Sequence, residues 1–218
     1  MYCCSGFLRR TTRAIGMAMQ ISAALVIGPG GCSQPVAPAR PASLVTEVAP
    51  TSAAQTHLKA VCELIARRLE LMPGVSQAKW NRKLPITDEQ REQALLTRLT
   101  AEGVARQLPA ELVTDFFQAQ ITAAKHVQQQ AFQEWTTQQH PPFANPPDLE
   151  RDVRPKIDEI NRQLLAALAR CWTERSAADW NAAVDHASRA AFQSTSWGDD
   201  VITAALQPLY DMPAQSMP

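Results

Sequence analysis

Between Leu58 and Met72 the residues Leu58, Val61, Cys62, Ile65, Leu69 and Met72 recur at the three- and four-residue spacing that an α-helix lays along one face. Arg68 falls on that same face, three residues after Ile65, seven after Val61 and four before Met72. A guanidinium directed at an apolar face needs an anionic partner, because burying an unpaired charge is very costly. This stretch constrains the chain twice: it demands a helical core, and it asks for an anion within that core.

The same period continues along the chain. The first helix is predicted from about Ala54 to Leu71, ended by Pro73-Gly74, and a short second helix from Val75 to Leu84, stopped by Pro85. Thr87 to Gln90 has the form of a capping box, so a third helix is expected from Asp88 to about Arg106, with Leu95, Leu96 and Leu99 inward. Pro109 opens a long helix to about Gln138, with the stripe Val113, Phe117, Ile121, Ala124, Ala131 and Trp135, and the Pro-rich turn from His140 to Pro147 ends it. Further helices are expected over Pro155 to Thr173, Ala177 to Phe192 and Asp199 to Leu209. With only 8 glycines in 218 residues and no strand-like alternation, the fold class is all-α, a single-domain bundle of about six helices over residues 55–218.

Residues 1–39 read as a leader. Arg9, Arg10 and Arg13 form a basic segment without acid, followed by an apolar run from Met17 to Ile27 that is short for a bilayer span. Two cleavage readings compete: lipoprotein processing before Cys32, which would be lipidated, or ordinary cleavage near Ala37-Pro38-Ala39. Residues 40–54 read as a Pro/Ala-rich tether. The whole chain is formally neutral, and removing the leader leaves −3, which excludes a generally basic nucleic-acid binder. Cys62 and Cys171 remain in the domain. An oxidising compartment would allow them to pair, while the favoured reading makes each a small buried hydrophobe.

Other polar residues intrude on apolar faces. Arg91 shares a face with Leu95 and Leu99, Glu92 with Leu96 and Leu99, and Gln128 lies on the Ile121, Ala124, Ala131, Trp135 stripe, which Gln120 also approaches. Lys79 stands beside Trp80, where the spacing does not fix its direction. Arg154 precedes Pro155 at a helix N-terminus, where the dipole favours an anion. Arg67 lies four residues after Glu63 and is expected to form only an exposed ion pair. The inward groups suit either an inert buried network or a single pocket for a small dianion. No nucleophile arrangement and no Gly-rich phosphate loop is present, and His57, His126, His140 and His186 lack metal-ligand spacing, so no metal site is expected.

In order, Arg68-Leu69-Glu70, Lys79-Trp80, Leu84-Pro85-Ile86, Asp88, Arg91-Glu92 and Gln128 resemble the AroQ-type chorismate mutases. Pro146-Pro147-Asp148-Leu149 followed by Val153-Arg154-Pro155-Lys156-Ile157-Asp158 is similar to the secreted, gamma subclass. The resemblance implies a [3,3] rearrangement of chorismate to prephenate without cofactor, driven by orientation and electrostatics. It implies that Arg68 and Arg154 bind substrate carboxylate, that Arg91 adds a guanidinium at the reacting side chain, and that Lys79 donates to the ether oxygen and a carboxylate. Asp88, through its backbone, and Glu92 would receive the ring hydroxyl, and Gln128 would donate a second hydrogen bond to the ether oxygen. Ala124 stands where the family commonly has Ser or Thr, and Leu95 where some gamma-subclass members have Gln.

The resemblance further implies an exported, periplasmic homodimer with one site in each chain, touching the membrane only through a lipid on Cys32. The competing functions are an isochorismate-pyruvate lyase on the same scaffold and a non-catalytic envelope protein that retains the fold.

Overall fold

Helical periodicity and its breaks translate into seven α-helices among the described residues, 53–175 and 180–212 of a computed structural model. They are α1 (Ala53–Glu70), α2 (Met72–Arg82), α3 (Glu89–Val104), α4 (Ala110–Thr137), α5 (Arg154–Glu174), α6 (Trp180–Phe192) and α7 (Asp199–Tyr210), with a π-helical turn at Leu149–Val153 before α5. The leader, Cys32, nearly all of the tether and the expected start of the sixth helix lie outside the described residues. Among the described residues no helix is long and apolar enough to cross a membrane.

The first helix ends at Glu70, within a residue of its expected bound, but Pro73-Gly74 lies inside α2, which begins at Met72 and not at Val75. Only Leu71 separates α1 from α2, and Pro73 stands in the first turn of α2, where its missing N–H is not needed. Leu71 N donates to Arg68 O at 3.3 Å and Val75 N to Leu71 O at 3.2 Å, so backbone hydrogen bonding continues across the junction. Arg68, Met72, Val75 and Lys79, spaced four, three and four apart, therefore stay on one stripe through the junction.

The cap of α3 is displaced by one residue from the expected frame. Asp88, not Thr87, is the N-cap: its carboxylate accepts from Arg91 N at 3.2 Å, and its own N–H donates to Glu92 Oε1 at 3.2 Å. This reciprocal pair fixes Asp88, Arg91 and Glu92 relative to one another.

In the packing, α1 lies against α5 and α6, while α4 lies against α2, α3 and α7. Phe116 and Phe117 of α4 are buried edge to face, with ring centroids 5.2 Å apart. Near the end of α3, a Cβ on Gly103 would come within 2.5 Å of Val113 Cγ2, so this helix reaches α4 closely only with glycine there. Helix α7 is tied across the bundle by Gln120 Nε2, which donates to Ala205 O at 2.7 Å, and by Tyr210 OH, which donates to Asp185 Oδ1 of α6 at 2.7 Å.

The connection after α4 is also held. Asn81 Nδ2 donates to Phe143 O at 2.7 Å and Phe143 N returns a bond to Asn81 Oδ1 at 2.8 Å, while Trp80, Phe132, Trp135 and Phe143 pack ring against ring. Asp148 then caps the π-helical turn by accepting from Glu150 N and Arg151 N. The start of α5, and so Arg154, is carried on a loop anchored to α2.

Cys62 and Cys171 are both buried and not joined by a disulfide. Burial, and then the neighbouring Cys171, pushes the Cys62 thiol up to about 12, as suits a packed hydrophobe rather than a reactive thiolate.

Candidate active site

The stripe from α1 into α2 forms one wall of a cavity whose other walls come from α3, α4, the π-helical turn and the start of α5. All seven residues singled out from the sequence line it: Arg68, Lys79, Asp88, Arg91, Glu92, Gln128 and Arg154. The void is about 760 Å³ with the open solvent at its mouth counted in. Met72, Val75, Leu95, Ile121, Ala124 and Val153 supply apolar lining between the charges.

Arg68 is 4% exposed, and no carboxylate pairs with it among the described residues. Its Nε donates to Asn161 Oδ1 at 3.2 Å and its Nη1 to the backbone oxygen of Gln120 at 2.9 Å, both uncharged acceptors. Burial, uncompensated by a carboxylate, pushes its guanidinium down to about 10. Lys79 is held in a similar way, with Nζ donating to Ile86 O at 2.6 Å. Its ammonium is shifted below the ordinary lysine value, chiefly by burial, against the pull of Asp88 and Glu92.

The remaining cations sit nearer solvent. Arg154, the first residue of α5, pairs with Glu150 of the π-helical turn, and its guanidinium is shifted down by burial and then by the like charge of Arg91. Arg91 is exposed, and its side chain forms no ion pair among the described residues. On α4, Gln128 is buried; Nε2 donates to Ala124 O at 3.0 Å, leaving its second amide N–H for a ligand, and Oε1 has no partner among the described residues.

Two lining residues carried no role in the sequence reading. Lys125 Nζ lies 2.6 Å from Glu92 Oε2, and Asp158 accepts from Arg98 Nη2 at 3.0 Å. Lys125 follows Ile121 by four residues and precedes Gln128 by three, so helical spacing alone places it at the pocket edge. Asp158, four residues after Arg154, is legible in the same way. Gln120 departs from expectation: it is fully buried but faces α7 instead of the cavity, and only its backbone oxygen serves the site, through Arg68. Arg67 is exposed as expected, yet Glu63 pairs with Lys59 one turn earlier, not with Arg67.

The lining thus carries five cations, Arg68, Lys79, Arg91, Lys125 and Arg154, against three carboxylates, Asp88, Glu92 and Asp158, a formal charge of +2. Asp158 is satisfied from outside the cavity by Arg98, and Glu92 from within it by Lys125. Such a site complements a small molecule with two negative charges. Among the described residues no group of three or more His, Cys, Asp or Glu side chains is placed to hold a metal.

Comparison with known proteins agrees with this chemistry. The family model "Chorismate mutase type II" matches residues 59–129, which span Arg68 to Gln128. The secreted chorismate mutase of Mycobacterium tuberculosis is 29% identical over 150 residues, 67% of this chain and 75% of that protein; that of Yersinia pestis is 32% identical over 106 residues, 49% and 56% respectively. The crystal structure of a chorismate mutase from Burkholderia thailandensis superposes with a TM-score of 0.65 at 31% identity, covering 71% of this chain and 99% of that one. With the helical order, the cationic cavity and these likenesses in agreement, the chain belongs to the type II, AroQ-type chorismate mutases.

Proposed function

We propose that this protein is an exported enzyme that rearranges chorismate to prephenate. The observation that carries the reading is that Arg68 is buried and Lys79 half-buried on uncharged acceptors in a cavity of net positive charge, with no carboxylate in contact with either among the described residues. In the reaction one C–O bond breaks as one C–C bond forms in a cyclic shift of electron pairs. No covalent enzyme group takes part, and the site has only to hold the folded conformer and meet charge growing on the ether oxygen.

Arg68 and Arg154 take the carboxylates, and Arg91 adds a third guanidinium beside the reacting side chain. Lys79 and the second N–H of Gln128 converge on the ether oxygen, where donors in a site shielded from water are worth most in the transition state. Glu92, steadied by Lys125 and by Asp88 N, accepts the ring hydroxyl together with the backbone of Asp88. Lacking a hydroxyl at Ala124, the site makes one contact fewer to a carboxylate, which lowers substrate affinity by about 1 kcal/mol.

Because α5 of the same chain delivers Arg154, each chain holds a complete site, and the homodimer we propose carries two. Export rests on the basic and apolar leader and on the likeness to relatives named as secreted; the periplasm is the compartment, with Cys32 as a lipid anchor if cleavage falls before it.

The test is chorismate consumption by protein lacking residues 1–39, with prephenate identified as product. We expect turnover by the parent, a loss on the order of 100-fold or more in Arg91→Ala with the helical spectrum intact, and a change under about twofold in Arg67→Ala. Folded parent protein that leaves chorismate untouched would overturn the assignment, and equal losses in the two variants would overturn the placement of Arg91.

A further inference from the structure

The acceptors around Arg68 are all of one kind. Asn161 on α5 is fully buried and presents Oδ1 to Arg68 Nε at 3.2 Å, and the backbone oxygen of Gln120 on α4 takes Nη1 at 2.9 Å. An N–H donor fixes which end of the amide faces it, so the Asn161 oxygen must point to the arginine. Its Nδ2 is left buried with no partner among the described residues. A side chain with one end unsatisfied is a poor packing element, and the half of it in use is the oxygen against Arg68.

An aspartate at this position would have nearly the same shape and would give the guanidinium a full counter-charge. That exchange is what ordinary burial of an arginine favours, since a buried charge is normally paired. Here the arrangement stops short of pairing. The pocket carboxylates Asp88, Glu92 and Asp158 lie elsewhere on its lining and form no ion pair with Arg68.

We infer that Asn161 is a positioning residue that orients Arg68 through a neutral oxygen, so that the guanidinium keeps its whole charge, and its remaining N–H donors, for a substrate carboxylate. Asn161 does not line the cavity and acts only through Arg68. The inference deepens the proposed function and rests on it, but it makes a demand of its own: a change that strengthens the arginine's internal contact weakens the site.

The test compares Asn161→Asp and Asn161→Ala with the parent in the full chain, measuring kcat and KM for chorismate, Tm, and the rise in Tm on adding chorismate. Neutralising Arg68 in Asn161→Asp should raise KM about tenfold or more, the worth of one charge-assisted contact, with a smaller change in kcat and a Tm equal to or above the parent's. Asn161→Ala loses the orienting oxygen without adding charge, so its Tm should fall while its KM rises less. A purely structural asparagine gives the opposite ranking, with the alanine variant worse in both, and that result overturns the inference. Parental KM in Asn161→Asp also overturns it. If the parent binds chorismate without rearranging it, the proposed function fails first, and the role of Asn161 is still decided by whether the aspartate substitution abolishes the chorismate-dependent rise in Tm.

Discussion

The floor and the rim of the cavity hold their cations by opposite means. On the floor, buried Arg68 and half-buried Lys79 lean on uncharged oxygens, are shifted below their ordinary values chiefly by burial, and touch no carboxylate among the described residues. At the rim, Lys125 and Arg154 each have a carboxylate in contact, Glu92 and Glu150, and a share of solvent. Electrostatic interactions strengthen as the local dielectric falls, so a cation on the floor does more for a bound anion than the same cation at the rim. The rim pairs also set geometry: Lys125 and Glu92 tie α4 to α3, and Glu150 and Arg154 tie the π-helical turn to α5.

That contrast breaks most visibly at Lys79. Lys79→Met should lower kcat roughly 1,000-fold, the upper range for removing a single donor from a site of developing charge, with the helical spectrum unchanged. The same residue sets a pH limit. Protonated Lys79 is the active form and burial lowers its pKa, so activity should fall with rising pH before an ordinary lysine would deprotonate, and Lys79→Arg should move that alkaline limb upward. Gln128 donates as an amide without needing a proton from solution, so it does not confine activity to acidic pH. An alkaline limb that stays in place in Lys79→Arg would assign it to another group.

A smaller loss is expected from Arg68→Met, on the order of 100-fold in kcat/KM and mostly in KM, because this floor cation binds a carboxylate that is charged in ground state and transition state alike. The rim should respond least. Lys125→Met should cost less than about fivefold, as fits a part-exposed ion pair. Steady-state kinetics on the three variants puts floor against rim directly, and a Lys125 effect as large as that of Arg68 would erase the distinction.

Much of this site was legible in the chain. Arg68, Arg91, Glu92 and Gln128 were found because each breaks an apolar face at helical spacing, and spacing is a local property. Spacing alone leaves Lys79 undirected because Pro73-Gly74 obscures the register between α1 and α2; the structure carries the 68, 72, 75, 79 stripe through the junction and orients it. Lys125 and Asp158 lie within the same spacing but flank the apolar stripes, so no interrupted face marks them. Gln120 was placed by its face alone, yet α7 competes for that face, and no local pattern says which neighbour will occupy it.

The sequence by itself determined the helices, their breaks and the set of polar side chains that must point inward, because each depends on residues within a turn or two of one another. Only the tertiary structure decided which inward charge meets which partner. It gave Glu92 to Lys125, set Gln120 against α7, and left Arg68 with an amide and a backbone oxygen in place of a carboxylate. The physical reason is range: helical period is written every three to four residues, whereas the partner of Arg68 stands 93 residues away and is chosen only when α5 packs on α1.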